Sequence, residues 1–424
     1  MDQGTSDDAP GRWRAGSWAR RGAHLAPPRA ASTYDARMDW LPIAQAALRA
    51  QGLAAWWIYD FRGNNPVAAR FLGMPDAHFS RRVVLAVPAE GTPTLLAHAI
   101  EKGAAERGPW PVRTYADRHG LRAALAELDP GGPVALEYAP EADLPYVSHV
   151  DAGTIELLRA VGVDVRSSAE VLQAFATWTP EQVAAHDRAA AAVMAVAHGA
   201  FDEIRRRLAA GETVREHEVQ AWIAARFAER GLVTGHDAIV GFGPNAGDPH
   251  YAPRAADDRA LVDGEVVLID LWAKEDRPWA PYADVTWMGV RGEPSPEVAR
   301  AWTAVRDGRD LAVRVIAERT VAGDPPAGWE VDRAVRDHLT TAGYGDVFVH
   351  RTGHSLGMVT THGDAAHLDD FETHDVRRLT PGFGVTVEPG VYLPAFGVRS
   401  ELNVVLEAAG PRVTTGVQVE LERV

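Results

Sequence analysis

The chain has 424 residues, of which 46% are hydrophobic and 24% charged, and its formal net charge is −15. That length allows two or three separately cored domains, the charge argues against a nucleic-acid or anionic-membrane surface, and no apolar run reaches the length of a membrane span. Cysteine is absent, which excludes disulfides, thiolate metal sites and a cysteine nucleophile, so any metal must be held by oxygen and imidazole.

The first 37 residues, beginning MDQGTSDDAPGRWRAG, lack the apolar core of a secretory signal and read as a disordered tail. Met38 opens the amphipathic stretch MDWLPIAQAALRAQG and reads as the true start. From 38 to 175 the pattern alternates. LAAWWIY, RRVVLAVPA, TPTLLAHA and GPVALEY have the composition of strands, RHGLRAALAEL has helical spacing, and VSHVDAGTIELLRAVGVDV reads as a helix leading to a strand. Such alternation predicts an α/β layer domain, and no glycine-rich phosphate fingerprint accompanies it.

A second domain is expected over 176–424. Thr179, Pro180 and Gln182 form a helix start with a capping box, and the helix runs to Gly211. Thr213 with Glu216 suggests a second capping box, for a helix ending near Gly231. VVLIDLWAK and YADVTWMGV then read as a hairpin joined by EDRPWAP, and each run places an aspartate, Asp270 or Asp284, where a buried strand normally carries an apolar residue. One such carboxylate would cost several kcal/mol or give up its charge, and a pair calls for a cation. A second hairpin repeats the pattern. Glu388 closes a strand before the Pro389–Gly390 pair, read as a turn, and Glu401 sits within an apolar strand with Arg399 on its face.

HRTGHSLG places His350 and His354 four apart, but it lacks the glutamate of a zincin helix, and its glycines disfavour a helix interior. The preceding VFVH reads as a short buried strand, so at most one of the two histidines is a ligand through this spacing. Four carboxylates match the charge of two divalent cations, with neutral His354 as a fifth ligand, and oxygen donors with one imidazole suit Mn(II), Co(II), Fe(II) or Zn(II). Mn(II) is the first choice.

The order Asp270, Asp284, His354, Glu388, Glu401 resembles the ligand order of the pita-bread metallopeptidases, the family of methionine aminopeptidase, aminopeptidase P, prolidase and creatinase. The resemblance covers the chain from Met38. It implies a creatinase-like α/β N-terminal domain followed by a pita-bread (creatinase/aminopeptidase) α+β domain, and it points to the aminopeptidase P, prolidase and creatinase branch. It further implies a dinuclear centre in which Asp284 and Glu401 bridge and Asp270, His354 and Glu388 complete the ions. Glu388 would be the proton shuttle, His250 (in GPNAGDPHYAP) a substrate contact, and His362 a donor to the tetrahedral intermediate. His350 would be a further active-site histidine and Arg399 the arginine beside the final ligand. His236 and His374 receive no role. The sequence departs from the family in a longer EDRPWAP turn, in one additional residue between His354 and His362, and in Arg351, which stands where many members have glycine. The acidic THGDAAHLDDFETHD reads either as a loop over the pocket or as a solvated turn.

The expected function is metal-dependent hydrolysis of the Xaa-Pro bond of short peptides by a cytoplasmic homodimer, with no nucleic-acid or membrane partner. The alternatives are a metal-dependent hydrolase or lyase of a non-peptide small molecule, such as a creatine-like compound or an N-acetyl amino acid, and an inactive peptide-binding module.

Overall fold

The computed structural model describes residues 40–74 and 77–424; the tail and the start at Met38 lie outside them. The first sheet has the order β4-β3-β2-β1-β5-β6, built from β1 (Ala55–Phe61), β2 (Arg82–Pro88), β3 (Thr94–His98), β4 (Val112–Tyr115), β5 (Val134–Leu136) and β6 (Val165–Ser167). The sheet is mixed: β1 pairs antiparallel with β2 and parallel with β5. Alternate residues of β1 enter different cores. Trp56 and Ile58 pack with Trp40, Leu48 and Phe71, whereas Ala55, Trp57 and Tyr59 pack with Leu121, Leu125 and Ile155. The sheet is therefore covered by helices on both faces, as the alternating pattern predicted. The helices expected in this region form at Trp40–Ala50, Arg118–Leu128 and Ala152–Ala160. Strand β4, with only one buried residue, carries too little apolar pattern to be read from sequence.

We place the division between domains at 175/176, because Phe175 packs into the first domain's core while Trp178 packs against Leu356 and Val405. The helix Pro180–Ala209 starts as expected, with Thr179 and Gln182 exchanging cap bonds. The next helix, Glu216–Glu229, begins later than the Thr213 cap implied. Here Glu218 accepts from the Arg215 N–H at 3.0 Å. Glu216 turns inward instead, where its carboxylate accepts from the N–H groups of Phe242 and Arg259, the Asn245 amide and the Tyr251 hydroxyl.

The second domain's main sheet is built on a hairpin of β9 (Val266–Glu275) and β10 (Ala283–Val290), flanked by β7 (Leu232–Val233), β8 (Ile239–Phe242) and β16 (Glu422–Arg423). Val267, Ile269, Leu271, Val285 and Trp287 face the helix Pro180–Ala209. Val266, Leu268, Met288 and Val290 face the other way, toward the helices Pro296–Val321 and Gly328–Thr341. Asp270, Asp284 and Thr286 belong by their even numbers to this second face, so the strand period itself delivers the carboxylates to one side.

The second hairpin is interrupted, which corrects the expectation of continuous strands. Strand β11 (Gly384–Val387) pairs with β14 (Leu402–Glu407), which also pairs with β15 (Gly410–Val413); β12 (Gly390–Leu393) pairs with β13 (Phe396–Arg399). Glu388–Pro389 and Ser400–Glu401 form a gap in the ladder, with the true turn at 394–395. Glu401 thus lies between strands rather than within one, and Pro389–Gly390 is a break rather than a reversal. Proline has no N–H to give a ladder, and the gap frees both glutamates from the pleat.

VFVH is not a strand. A helical turn at Gly345–Val347 leads into irregular chain in which Phe348 is buried and Val349 exposed. The Phe348 and His350 carbonyls are taken by the Arg336 guanidinium, which also lies over the Phe348 ring, so they are unavailable to a strand neighbour. The extended piece comes later. Residues 352–356 run antiparallel to β11 through Glu388 N–H to Thr352 O, Thr386 N–H to His354 O and Leu356 N–H to Gly384 O, at 2.7–2.8 Å. THGDAAHLDDFETHD is solvated only in part: its His362 lies against His354, as a loop over the pocket would, and its middle is buried. Residues 365–369 are buried, Asp369 accepts from the N–H groups of Phe371, Glu372 and Thr373, and Asp375 pairs with buried Arg377.

Candidate metal centre

The first hairpin, residues 352–356 and the ladder gap bring Asp270, Asp284, His354, Glu388 and Glu401 together. His354 Nδ1 lies 2.9 Å from the Ser355 carbonyl; a carbonyl only accepts, so the ring proton sits on Nδ1 and Nε2 presents a lone pair. That lone pair faces Asp284 Oδ2 at 3.5 Å and Glu388 Oε1 at 3.4 Å. Donor atoms of Asp284, His354 and Glu401 lie within 4.8 Å of one another. Asp270 joins the group through Thr286, whose hydroxyl is 3.1 Å from Asp270 Oδ1 and 2.8 Å from Glu401 Oε2 and accepts from Arg399 Nε at 2.7 Å. Arg399 also pairs with Asp270 Oδ2.

These residues fit a cation. Three lone-pair-bearing atoms converge with no proton between them, and Asp284 Oδ1 and Glu401 Oε1 are buried with no hydrogen-bond partner among the described residues. An unpartnered buried carboxylate oxygen is costly unless a positive charge completes it. The pKa pattern agrees. Burial pushes Asp270 up to about 7 against the pull of Arg399, and burial with neighbouring carboxylates raises Asp284 and lifts Glu401 well above the usual range. Glu388 behaves differently: although burial works against it, His354, His350 and Arg399 hold it below its ordinary value. Its side chain is also the more open, 14% exposed against 7% for Asp284 and 9% for Asp270.

The remaining histidines surround this cluster at different depths. The His362 ring is tilted over His354 with centroids 4.1 Å apart. Its Nδ1 lies 3.1 Å from an Arg351 guanidinium nitrogen, which can only donate, so the His362 proton is on Nε2. His250 is exposed in the turn after the segment Gly243–Gly247, with its N–H bonded to Asp248. A methyl on Gly397 would run into the Ala246 carbonyl, so the β12–β13 tip and this segment pack backbone to backbone. His350 stands further back. Its Nδ1 donates to the Arg351 carbonyl, leaving Nε2 to accept from the Tyr392 hydroxyl at 2.8 Å, and Tyr392 in turn accepts from Arg399. Burial lowers His350 to about 4, so it is a neutral acceptor near neutral pH. His236 is exposed, and His374 pairs with Asp370 at 2.6 Å.

Several supporting residues were not singled out in the sequence. Thr286 could have been: it is a buried-strand hydroxyl two positions after Asp284 and therefore on its face. Thr386 donates to Glu388 Oε1 and accepts from the His354 N–H, both at 2.9 Å. Asn403 holds the Asp284 peptide at both its N–H and its carbonyl. Tyr392, Tyr146 and His367 carry no local signal.

Residues 185–408 match metallopeptidase family M24. The chain belongs to this family. The M24 assignment makes the protein a metallopeptidase, and its fold class is the expected pairing of an N-terminal domain with a pita-bread domain. The chain is 29% identical over 368 residues to a probable dipeptidase PepE of Mycobacterium tuberculosis, covering 84% of this chain and 87% of that protein. It is similar in structure to dipeptidase PepE of Mycobacterium ulcerans, with a TM-score of 0.59, 26% identity, and coverage of 91% of this chain and 96% of the other. It also shares its fold with an X-prolyl aminopeptidase of Caenorhabditis elegans, described as a cytosolic enzyme with a di-nuclear active site. There the TM-score is 0.56 and the identity 17%, over 90% of this chain and 62% of that one.

Proposed function

We propose that this M24 metallopeptidase is a dinuclear-metal-dependent dipeptidase or aminopeptidase that cleaves the bond between the first residue and a following proline in short peptides. The observation that carries this reading is the convergence of Asp284 Oδ2, Glu388 Oε1 and the His354 Nε2 lone pair beside two unpartnered carboxylate oxygens. Similarity to dipeptidases supports the short-peptide substrate class. Asp270, Asp284, His354, Glu388 and Glu401 would hold two divalent ions, Mn(II) by the chemistry of the donor set. Such ions, when bound, polarise a carbonyl and ease ionisation of water at neutral pH.

The chain's own residues divide the remaining work. Glu388, the more open carboxylate, is placed to take a proton from attacking water and return it to the leaving nitrogen. His362, protonated at Nε2, donates toward the developing oxyanion, and His250 contacts the substrate from its turn. Arg399 and Thr286 fix Asp270 and Glu401 and so define the cluster's floor. His350 orients Tyr392 and through it Arg399. A homodimer and a cytoplasmic location complete the reading. Among the described residues, no helix is long and apolar enough to cross a membrane.

Purified protein reconstituted with Mn(II) should release the first residue from a panel of Xaa-Pro peptides and leave creatine and N-acetyl amino acids untouched, and Asp284→Ala should abolish the release. Metal content is measured in parallel. A metal-loaded protein that turns over none of the peptides refutes the Xaa-Pro reading, and sedimentation decides the dimer.

A further inference from the structure

Arg351 is an unusual neighbour for such a centre. It is only 7% exposed, and its guanidinium donates to two neutral acceptors, the Tyr146 hydroxyl at 2.9 Å and His362 Nδ1 at 3.1 Å. Among the described residues, no carboxylate lies within ion-pair distance of that guanidinium; Glu372 accepts instead from the Arg351 backbone N–H at 3.1 Å. The other buried arginines differ: Arg309 pairs with Asp310, Arg377 with Asp375 and Arg399 with Asp270. A buried cation served only by a phenol and an imidazole keeps its full charge, and a guanidinium fork matches a carboxylate.

The placement says where that carboxylate would come from. One imidazole, His362, separates Arg351 from His354. In a dipeptide the α-carboxylate lies one residue past the scissile carbonyl, roughly a 3.8 Å Cα step. In a longer peptide the same point is a neutral amide. Tyr146, 46% exposed at the edge of the first domain, and the buried His367, whose ring centroid is 5.0 Å from that of Tyr146, add no negative charge.

We infer that Arg351 is the receptor for a carboxylate carried by the residue after the scissile bond, the α-carboxylate of a dipeptide being its expected source, so that it sets dipeptides above longer peptides. This rests on the peptidase reading above. Arg351 is then a specificity residue, and Tyr146 and His362 hold its fork open toward the substrate.

The test compares Ala-Pro, Ala-Pro amide and Ala-Pro-Ala on the metal-loaded wild type, Arg351→Gln and Arg351→Lys. Calorimetric binding of a dipeptide analogue with a reduced, uncleavable bond, and of its C-terminal amide, is measured alongside. Wild type should favour Ala-Pro over its amide by about 10- to 100-fold in kcat/KM, the scale of one charged hydrogen-bonded pair. Arg351→Gln should remove that preference by losing more on Ala-Pro than on its amide, the difference lying chiefly in KM, and Arg351→Lys should restore part of it. Ala-Asp amide against Ala-Asn amide separates the sources: a large preference for the former upholds the receptor and moves its carboxylate to a side chain. Equal losses of Arg351→Gln on every substrate, with or without a carboxylate, would make Arg351 a mere tether to Tyr146 and overturn the inference, as would a wild type indifferent both to the terminal carboxylate and to Asp over Asn. If no peptide is cleaved, the peptidase reading fails, and the calorimetric pair still decides the carboxylate site.

Discussion

Thr286 concentrates three interactions in one hydroxyl. It accepts from Arg399 and serves Asp270 and Glu401. Thr286→Val keeps the β-branched shape but leaves those groups to reorient, and such outer-shell losses typically cost 10–100-fold in metal affinity or activity. We expect a drop of about that size in both, as read by metal-competition titration and kcat. A second residue-scale prediction concerns Glu137, fully buried in the first domain, which accepts from Trp56 Nε1 at 2.6 Å and Asn65 Nδ2 at 2.8 Å. Burial raises its carboxyl to about 7 from an ordinary 4.5, with those two hydrogen bonds opposing. Between these values the folded protein holds a proton that the unfolded chain has released, so stability falls as pH climbs through that window and stays low above it. The loss is about 3 kcal/mol at most. In urea titrations at pH 5 and pH 8, Glu137→Gln should show a smaller difference than wild type, and identical differences would disprove the assignment. Asp270 and Asp284 were legible because a carboxylate in an apolar strand is conspicuous. Arg351 and Tyr146 were not, since their contact spans 205 positions and no local pattern announces it.

At the scale of elements, Gly353 of HRTGHSLG finds its reason in strand contact, and Gly357 in the carbonyls of Thr360 and His362 in the loop that follows. A methyl on Gly353 would meet the Thr386 carbonyl, because residues 352–356 lie directly along β11. Gly353→Ala should therefore push His354 away from Asp284 and Glu388. A loss of roughly 1–3 kcal/mol is expected from overpacking, visible as a lower denaturation midpoint together with weakened metal binding. A variant with wild-type stability and metal affinity would show that the segment can move freely. The first hairpin was readable from its two apolar runs and the proline-bearing connection between them, and the capped helix Pro180–Ala209 from its box. The second hairpin was only half readable. Its polar break at Glu388–Pro389 resembles a turn in the sequence, and only the register of β12 on β13 reveals that the chain runs on. VFVH failed for a different reason. Its composition suits a strand, but Arg336 occupies the carbonyls a strand would need.

For the whole molecule, four carboxylates and one arginine packed in a small buried volume leave an excess of negative charge that bound cations would offset. Chelation should lower the melting temperature, and readdition of Mn(II) should restore it; ligand linkage predicts about 2.7 kcal/mol at a hundredfold excess over Kd. A melting temperature indifferent to chelator would show that the cluster is neutralised by protons instead. The two-domain layout was legible because strand–helix alternation runs to about Phe175 and a capped helix start follows at Thr179. Contacts across the boundary, such as Gln173 with Arg378 and Ala366, were not, since they join surfaces each complete in its own pattern.

The ladder gap has one more consequence, in the domain of time. The five candidate ligands sit on β9, on β10, on the 352–356 segment and on both edges of the gap, so no single element holds an ion by itself. A bound ion would leave when any one of these opens, and the gap, crossed by a single Ser400 N–H to Pro389 carbonyl bond at 3.2 Å, is the thinnest part of that ladder. The residence time of the metal thus becomes a clock for local opening at Glu388 and Glu401.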